Sequence, residues 1–432
     1  MEDNYSKRLN KVIPGGAHTY SRGDDQYPSN APSIFKRGKG AYVYTPEEDK
    51  FLDYGMALRA VSIGYSEDEI DNAAITQIKY GNNLTRASLV ELEAAELFCS
   101  LIDSVDMVKF TKNGSTAVSA AVKLARAYTG KDLVARCAQH PFFSYDDWFI
   151  GSTEITKGIP QNIIEQTKYF NFNDIKSAEE LFSKHHNQIA CVVLEPATTE
   201  EPQNEFLHKL RELCNKSGAV FILDEMITGF RWHLKGAQHF YNVEADLCTF
   251  GKSMANGFSV AAVAGKREIM QLGSIDREGA ERVFLLSTTH GAEMNGLGAF
   301  IKTIEYHRKY DVVSHLWSYG DKLKLIVSEL TKKYELEKYF KIIGPSCSPA
   351  YLTYDKNEKN SLAFRTLFSQ EMIKNGVLMP WIALSYRHGE KELELTRRAL
   401  DETLKVYKMA LETSFEKYLN GKIIKPVFRK FN

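Results

Sequence analysis

No charge of one sign dominates this chain: its 432 residues carry 55 Lys and Arg against 55 Asp and Glu. A dedicated nucleic-acid binder shows a basic excess or patch, so the balance argues against nucleic acid as a partner. Long hydrophobic runs are missing too. Apolar stretches such as Phe258 to Ala264 fall far short of the ~20 residues that cross a bilayer, so no membrane partner is expected. The opening residues, Met1 to Arg8, are polar. They show no secretory signal, and a cytoplasmic location is expected. The six cysteines (Cys99, Cys137, Cys191, Cys214, Cys248, Cys347) are scattered, with no Cys-x-x-Cys among them. That spacing removes a zinc ribbon and a dithiol redox centre, leaving reduced thiols packed as small hydrophobes. No His or Cys cluster has metal-ligand spacing, so no metal is expected. His185-His186 lies in a polar stretch and reads as solvated. What is present is a globular composition, 44% apolar and 25% charged, at a length that calls for at least two domains.

Turn formers crowd residues 12–40, including Pro14-Gly15-Gly16 and Arg37-Gly38-Lys39-Gly40. This reads as an extended arm with little core of its own, followed by a hairpin at Ala41–Tyr44 and Lys50–Tyr54. From about residue 65, strand and helix patterns alternate. Ser115–Thr129 is an amphipathic helix, with Val118, Ala121, Val122, Ala125 and Tyr128 on one face. Leu133–Ala135, Gln188–Leu194, Ala219–Leu223 and Leu247–Phe250 read as strands, and Phe206–Ser217 as a helix stopped by Gly218. Apolar strands separated by helices predict an α/β fold: a mostly parallel sheet flanked by helices. Functional groups then belong at the carboxyl ends of strands, where Glu195, Asp224 and Glu225 stand. Residues 298–334 read as long helices, and the last third as a smaller α+β domain with a basic tail. The expected division is 1–64, arm and hairpin; 65–297, large α/β domain; 298–432, small domain.

Three features carry candidate chemistry. Asp224 ends an apolar strand, where a carboxylate is costly without a cationic partner. It is either a cap for the following turn or an acid facing a cofactor or metal. Gly251-Lys252-Ser253 follows another strand. It is no P-loop, because Asp246 stands where that motif needs glycine. Lys252 is either a solvated charge or, if buried, an amine nucleophile. Asn113-Gly114-Ser115-Thr116 precedes the amphipathic helix. It offers free N–H groups to a phosphate, or is an ordinary turn capped by Ser115 or Thr116. Gly257-Phe258-Ser259-Val260-Ala261 lacks the last glycine of a nucleophile elbow. Together, a phosphate cradle, a strand-end acid and a strand-end lysine describe a pyridoxal phosphate site.

At these residues the chain resembles the class III, fold type I aminotransferases, in particular glutamate-1-semialdehyde aminomutase and its sugar-aminotransferase relatives. The resemblance runs from about Ile13 to Leu411. It is carried by Ile13–Gly16, Phe110–Gly130, Leu194-Glu195-Pro196, Leu223–Arg231, Phe250–Lys252 and Ser287–Gly291. It implies a homodimer with a shared site. In that site Lys252 takes the cofactor aldehyde and Asp224 the ring nitrogen. Asn113, Gly114 and Ser115 take the phosphate, and Thr288 reaches the phosphate of the second subunit. Phe142 would stack on the ring with Met226 on its other face, and Glu195 would border the cofactor. Arg22, with Arg59, would hold a substrate carboxylate. The departures fall where substrate should sit: Ser253–Gly257, His290–Glu293, Met379–Ser385, and Leu58-Arg59 where the aminomutase has a gate tryptophan. They resemble transaminases of surface-polysaccharide pathways, including the one that makes 8-amino-3,8-dideoxy-manno-octulosonate. The expected reaction moves an amino group from glutamate to a carbonyl of an acidic sugar such as an 8-oxo-octulosonate. The alternative is glutamate-1-semialdehyde 2,1-aminomutase in tetrapyrrole synthesis. A silent binding relative is disfavoured by the intact Asp224 and Lys252. The resemblance leaves open whether Glu200 faces cofactor or solvent.

Overall fold

The computed structural model describes residues 4–432. The chain divides into two compact units: Asp68–Val313, and the segment up to Glu67 joined with Ser314–Asn432. This differs from the expected three-part division. The arm and hairpin share a unit with the C-terminal segment, and the helix Met294–Tyr310 belongs with the large sheet.

Among the described residues, Asp68–Val313 builds a seven-stranded sheet. Its order is Met107–Thr111, Ala261–Gly265, Leu247–Phe250, Val220–Asp224, Ile189–Leu194, Leu133–Cys137, Thr167–Phe170. The last five of these run parallel, and Ala261–Gly265 pairs antiparallel with both neighbours. The exception has a simple cause. Lys252 to Val260 is too short for the crossover a parallel return needs, so the chain folds straight back. Ile189–Leu194, Val220–Asp224, Leu247–Phe250 and Ala261–Gly265 are buried at every position. Continuous apolar runs are what a sheet covered on both faces requires. The helix Gly114–Thr129 buries Val118, Ala121, Val122 and Ala125 and is stopped by Gly130 at φ 65°. Tyr128, expected on that face, is exposed instead. Cys137, Cys191, Cys214, Cys248 and Cys347 are buried as small apolar groups.

The other unit is held by pairing between distant parts of the chain. Arg37–Lys39, Tyr42–Tyr44 and Lys50–Asp53 form a sheet that Val377–Leu378 completes in parallel. Tyr54 is fully buried, its hydroxyl 2.7 Å from both Tyr319 Oη and Thr396 Oγ1. The arm therefore draws its core from the C-terminal segment, which explains why its own sequence reads as nearly coreless. The basic tail docks back on the arm: Arg429 pairs with Asp25 at 2.5 Å, and Gln26 Nε2 donates to the Lys425 carbonyl at 3.0 Å. Among the described residues, no helix is long and apolar enough to cross a membrane.

Candidate active site

Three adjacent parallel strands end on one side of the sheet. Ile189–Leu194 runs into Glu195, Val220–Asp224 ends on Asp224, and Leu247–Phe250 runs through Gly251 into Lys252. Parallel register does this directly: Leu194 pairs with Leu223, and Asp224 pairs with Thr249. Asp224 is 1% exposed. Its Oδ1 accepts from Thr249 Oγ1 at 2.9 Å and from the Met226 N–H at 3.0 Å. Both bonds use one carboxylate oxygen, so the other is left to meet a donor. Burial pushes the carboxyl up to about 6, against the positive charge of Lys252 that pulls it down. Lys252 opens a short 3₁₀ turn, Lys252–Ala255, with φ at 44°. A non-glycine residue held there is strained, as residues at functional sites often are.

Glu225, the next residue, has a different task. Its side chain accepts from the Ala237 N–H at 2.9 Å, the Gln238 N–H at 2.8 Å and the Thr228 hydroxyl. It thereby satisfies the opening N–H groups of the short helix Ala237–Phe240. Burial pushes its carboxyl up to about 7.

The cap of the helix Gly114–Thr129 is Asn113, not Ser115 or Thr116. Its Oδ1 accepts from the Thr116 N–H at 2.9 Å and from Thr116 Oγ1 at 3.0 Å. Ser115 Oγ instead accepts from the Tyr145 N–H at 3.2 Å, which ties the 140–145 loop to this turn. That arrangement leaves the Gly114 and Ser115 N–H groups, at the positive end of the helix dipole, outside the cap's bonds.

Met226 gathers these parts. A Cβ at Gly114 or at Gly251 would lie 2.7 Å from its Sδ. The phosphate-type turn and the residue before Lys252 therefore both close on the thioether of the residue two past Asp224, and a side chain at either glycine would have to displace it. An amine, a buried acid with an oxygen to spare, a pair of helix-end N–H groups and an apolar wall form the donor set that a pyridine ring bearing an aldehyde and a phosphate requires. The residues present fit that cofactor.

Other expected residues lie in this unit at different depths. Glu195 is buried, and its N–H donates to His140 Nδ1 at 2.9 Å. His140 is held neutral, pushed down to about 3 by burial and the Arg136 charge. Phe142 is 47% exposed, with its ring edge-on to Phe149 at 5.6 Å. Glu200 is exposed and accepts from Asn173 Nδ2 at 2.8 Å. Thr288 is exposed, and Asn83 Nδ2 ties the neighbouring Thr289 carbonyl at 2.9 Å. Lys112 pairs with Glu293 at 2.6 Å just beyond it.

In the second unit, Arg22 lines a cavity of about 750 Å³ together with Tyr27, Asp53, Leu58, Tyr65 and Trp381. Arg59 is not among its lining residues; its guanidinium sits 5.9 Å from the Trp381 ring centre. Trp381 falls in the Met379–Ser385 stretch expected near substrate, whereas Tyr65 is absent from the sequence-based set. No local signal marks Tyr65, since only tertiary folding brings residues 22, 53, 65 and 381 to one wall.

A family model described as aminotransferase class-III matches residues 24–378. The chain is 32% identical to the 3-aminobutyryl-CoA aminotransferase of Cloacimonas acidaminovorans, covering 93% of this chain and 96% of the relative. It is 30% identical to the glutamate-1-semialdehyde 2,1-aminomutase of Francisella philomiragia, covering 89% and 94%. Among solved structures, the PLP internal aldimine form of FumI from Sphingopyxis sp. MTA144 superimposes with a TM-score of 0.86 at 25% identity, covering 95% and 97%.

Proposed function

The chain belongs to the class-III aminotransferases, enzymes that use pyridoxal phosphate, and from that premise we propose that it moves an amino group from glutamate to a carbonyl of an acidic sugar, such as an 8-oxo-octulosonate in surface-polysaccharide synthesis. The observation that carries this reading is the cavity around Arg22. It sets the Arg22 guanidinium, with Lys36 and Arg37 lining the same cavity, beside the Tyr27 ring and the Trp381 indole. A carboxylated, polyhydroxylated substrate matches this cationic and polar lining, whereas a short apolar amine uses little of it.

Pyridoxal phosphate supplies an aldehyde that exchanges amines and a ring that takes up the electron pair left on the substrate carbon. The protein's residues do the rest. Gly114 and Ser115 hold the phosphate through their N–H groups, with Asn113 fixing the turn. Asp224, buried at the strand end, would hold a proton on the ring nitrogen through its carboxylate and so stabilise positive charge there. Met226 and Phe142 cover the ring, and Glu195 borders it. Lys252 anchors the aldehyde. With its amine free, Lys252 Nζ would carry the proton from the substrate carbon. Arg22 orients a carboxylate, first of the donor and then of the acceptor.

A homodimer with shared sites completes the proposal. Ile75, Ile78, Tyr80, Leu84, Leu89 and Leu92 form an exposed apolar group on and between the helices Asp68–Lys79 and Leu89–Leu101. Asn83, within that stretch, bonds the segment that carries Thr288. Apolar exposure of this extent marks an interaction surface, here a second copy whose Thr288 meets the phosphate.

Mixing the purified holoenzyme with glutamate tests the reaction. Loss of the cofactor's visible absorbance with release of 2-oxoglutarate is expected. Turnover of glutamate-1-semialdehyde without any response to glutamate supports the aminomutase instead. An acceptor panel that answers to a β-keto acyl thioester but to no acidic sugar removes the sugar.

A further inference from the structure

The segment Met56–Arg59 has a backbone that the roles above leave unexplained. Its φ angles are 39° at Met56, 49° at Ala57, 61° at Leu58 and 69° at Arg59. An L-residue visits this region singly, because its Cβ crowds the next carbonyl oxygen. Four in a row make a left-handed helical turn in which each residue is strained. Met, Ala, Leu and Arg favour right-handed helix and have no short polar side chain to ease the conformation. The surroundings must therefore impose it.

They do so through one carboxylate and one phenol. The Gly55 N–H donates to Asp53 Oδ1 at 2.7 Å and the Met56 N–H to Oδ2 at 3.1 Å. The Ala57 N–H donates to the Tyr65 hydroxyl at 2.8 Å, which in turn donates to Asp53 Oδ2 at 2.6 Å. Three successive N–H groups thus end on the Asp53–Tyr65 pair. From the carbonyl side, Trp381 Nε1 donates to the Gly55 oxygen at 3.0 Å, and the Arg59 N–H reaches the same oxygen at 3.2 Å. Asp53 is 4% exposed, so its bonds are made out of water, where they hold most strongly. Asp53, Gly55, Ala57, Leu58, Tyr65 and Trp381 all line the cavity that holds Arg22.

We infer that this clasped turn is a specificity element: Asp53 and Tyr65 are positioning residues that lock Ala57 and Leu58 into the wall around Arg22, so that the cavity takes a substrate carboxylate in one register. The inference rests on the proposed role of Arg22 as carboxylate anchor. A turn that needed only to connect Tyr54 with Val61 would relax to a right-handed form. Strain of this kind persists where the surrounding structure over-determines it for function.

Two variants of the full-length holoenzyme test it. Tyr65→Phe removes the hydroxyl that joins Asp53 to the Ala57 N–H. Ala57→Gly removes one methyl and relieves the left-handed strain. The readout is the half-reaction followed by cofactor absorbance, with glutamate and with alanine, which share the reacting carbon but differ in the second carboxylate. In both variants the glutamate-to-alanine ratio of kcat/KM should fall about tenfold, mainly through the KM for glutamate. The thermal midpoint of Ala57→Gly should equal or exceed that of the unsubstituted enzyme. An unchanged ratio in both variants overturns the inference. So does a parallel loss on both amino acids with lowered midpoints, which is the mark of a merely structural turn. An unsubstituted enzyme that ignores glutamate overturns the donor assignment, and this inference with it, before any variant is made.

Discussion

Asp224 and Glu225 are neighbours in sequence with the same side-chain chemistry in near-identical burial, yet they have separate tasks. Glu225 has its oxygens filled by the Thr228 hydroxyl and two backbone N–H groups. Asp224 takes both of its bonds, from Thr249 Oγ1 and the Met226 N–H, on one oxygen. Both carboxyls are raised by burial, to about 6 for Asp224 and about 7 for Glu225. A raised carboxyl binds its proton more tightly when folded than when unfolded. The stability it lends is therefore full below about pH 4 and is lost as pH rises through the folded values. From these two carboxyls cofactor-free protein should accordingly lose stability between pH 4 and 7.5, by about 1.4 kcal/mol for each pH unit separating ordinary and folded values, against the opposite contribution of His140 and His307, which burial pushes down to about 3 and which stabilise the fold as pH rises. Asp224→Asn should flatten the lower part of that slope and Glu225→Gln the upper part. Calorimetry of each variant against the parent at a series of pH values isolates the carboxyl, and a difference that does not change with pH contradicts the assignment.

At the scale of elements, the site depends on closeness that only glycine allows. Gly251 has an extended φ of 179°, a value any residue adopts, so its identity is set by space and not by backbone strain. Gly251→Ala should cost about 1–3 kcal/mol of stability, the usual penalty for overpacking. Met226→Ala in the same chain should return much of that loss, because the added methyl then meets a gap. A double-mutant cycle by denaturant unfolding measures the coupling, and purely additive effects would show that Met226 does not close on Gly251. The strands around this point were legible beforehand. Leu247–Phe250 and Phe206–Ser217 have the limits their patterns indicate. The left-handed turn was not. Met56–Arg59 reads as helix by propensity, and the bonds from Asp53 and Tyr65 that reverse its hand come from outside the segment.

For the whole molecule, the proposed shared sites make a test that a single chain cannot pass. Lys252→Ala and a Thr288→Val variant should each lose turnover, the former by about a thousandfold or more, since it removes both anchor and base. Mixed dimers hold one site with an intact Lys252 from one chain and an intact Thr288 from the other, so activity should reappear after subunit exchange. Hybrids that form but stay inactive would place Thr288 outside the partner's site. The sequence by itself determined the α/β alternation, the strand-end acid and lysine, and the resemblance that joins them, because burial periodicity and strand-end placement are local properties. Tertiary structure alone decided which carboxylate keeps an oxygen to spare, and that Asn113 caps the helix while Ser115 turns to the 140–145 loop. It decided also that the arm takes its core from the C-terminal segment, and that Arg22 shares a cavity wall with Tyr65 and Trp381 while Arg59 does not. Each of these turns on a distance between residues remote in the chain, and no residue type or spacing encodes that distance.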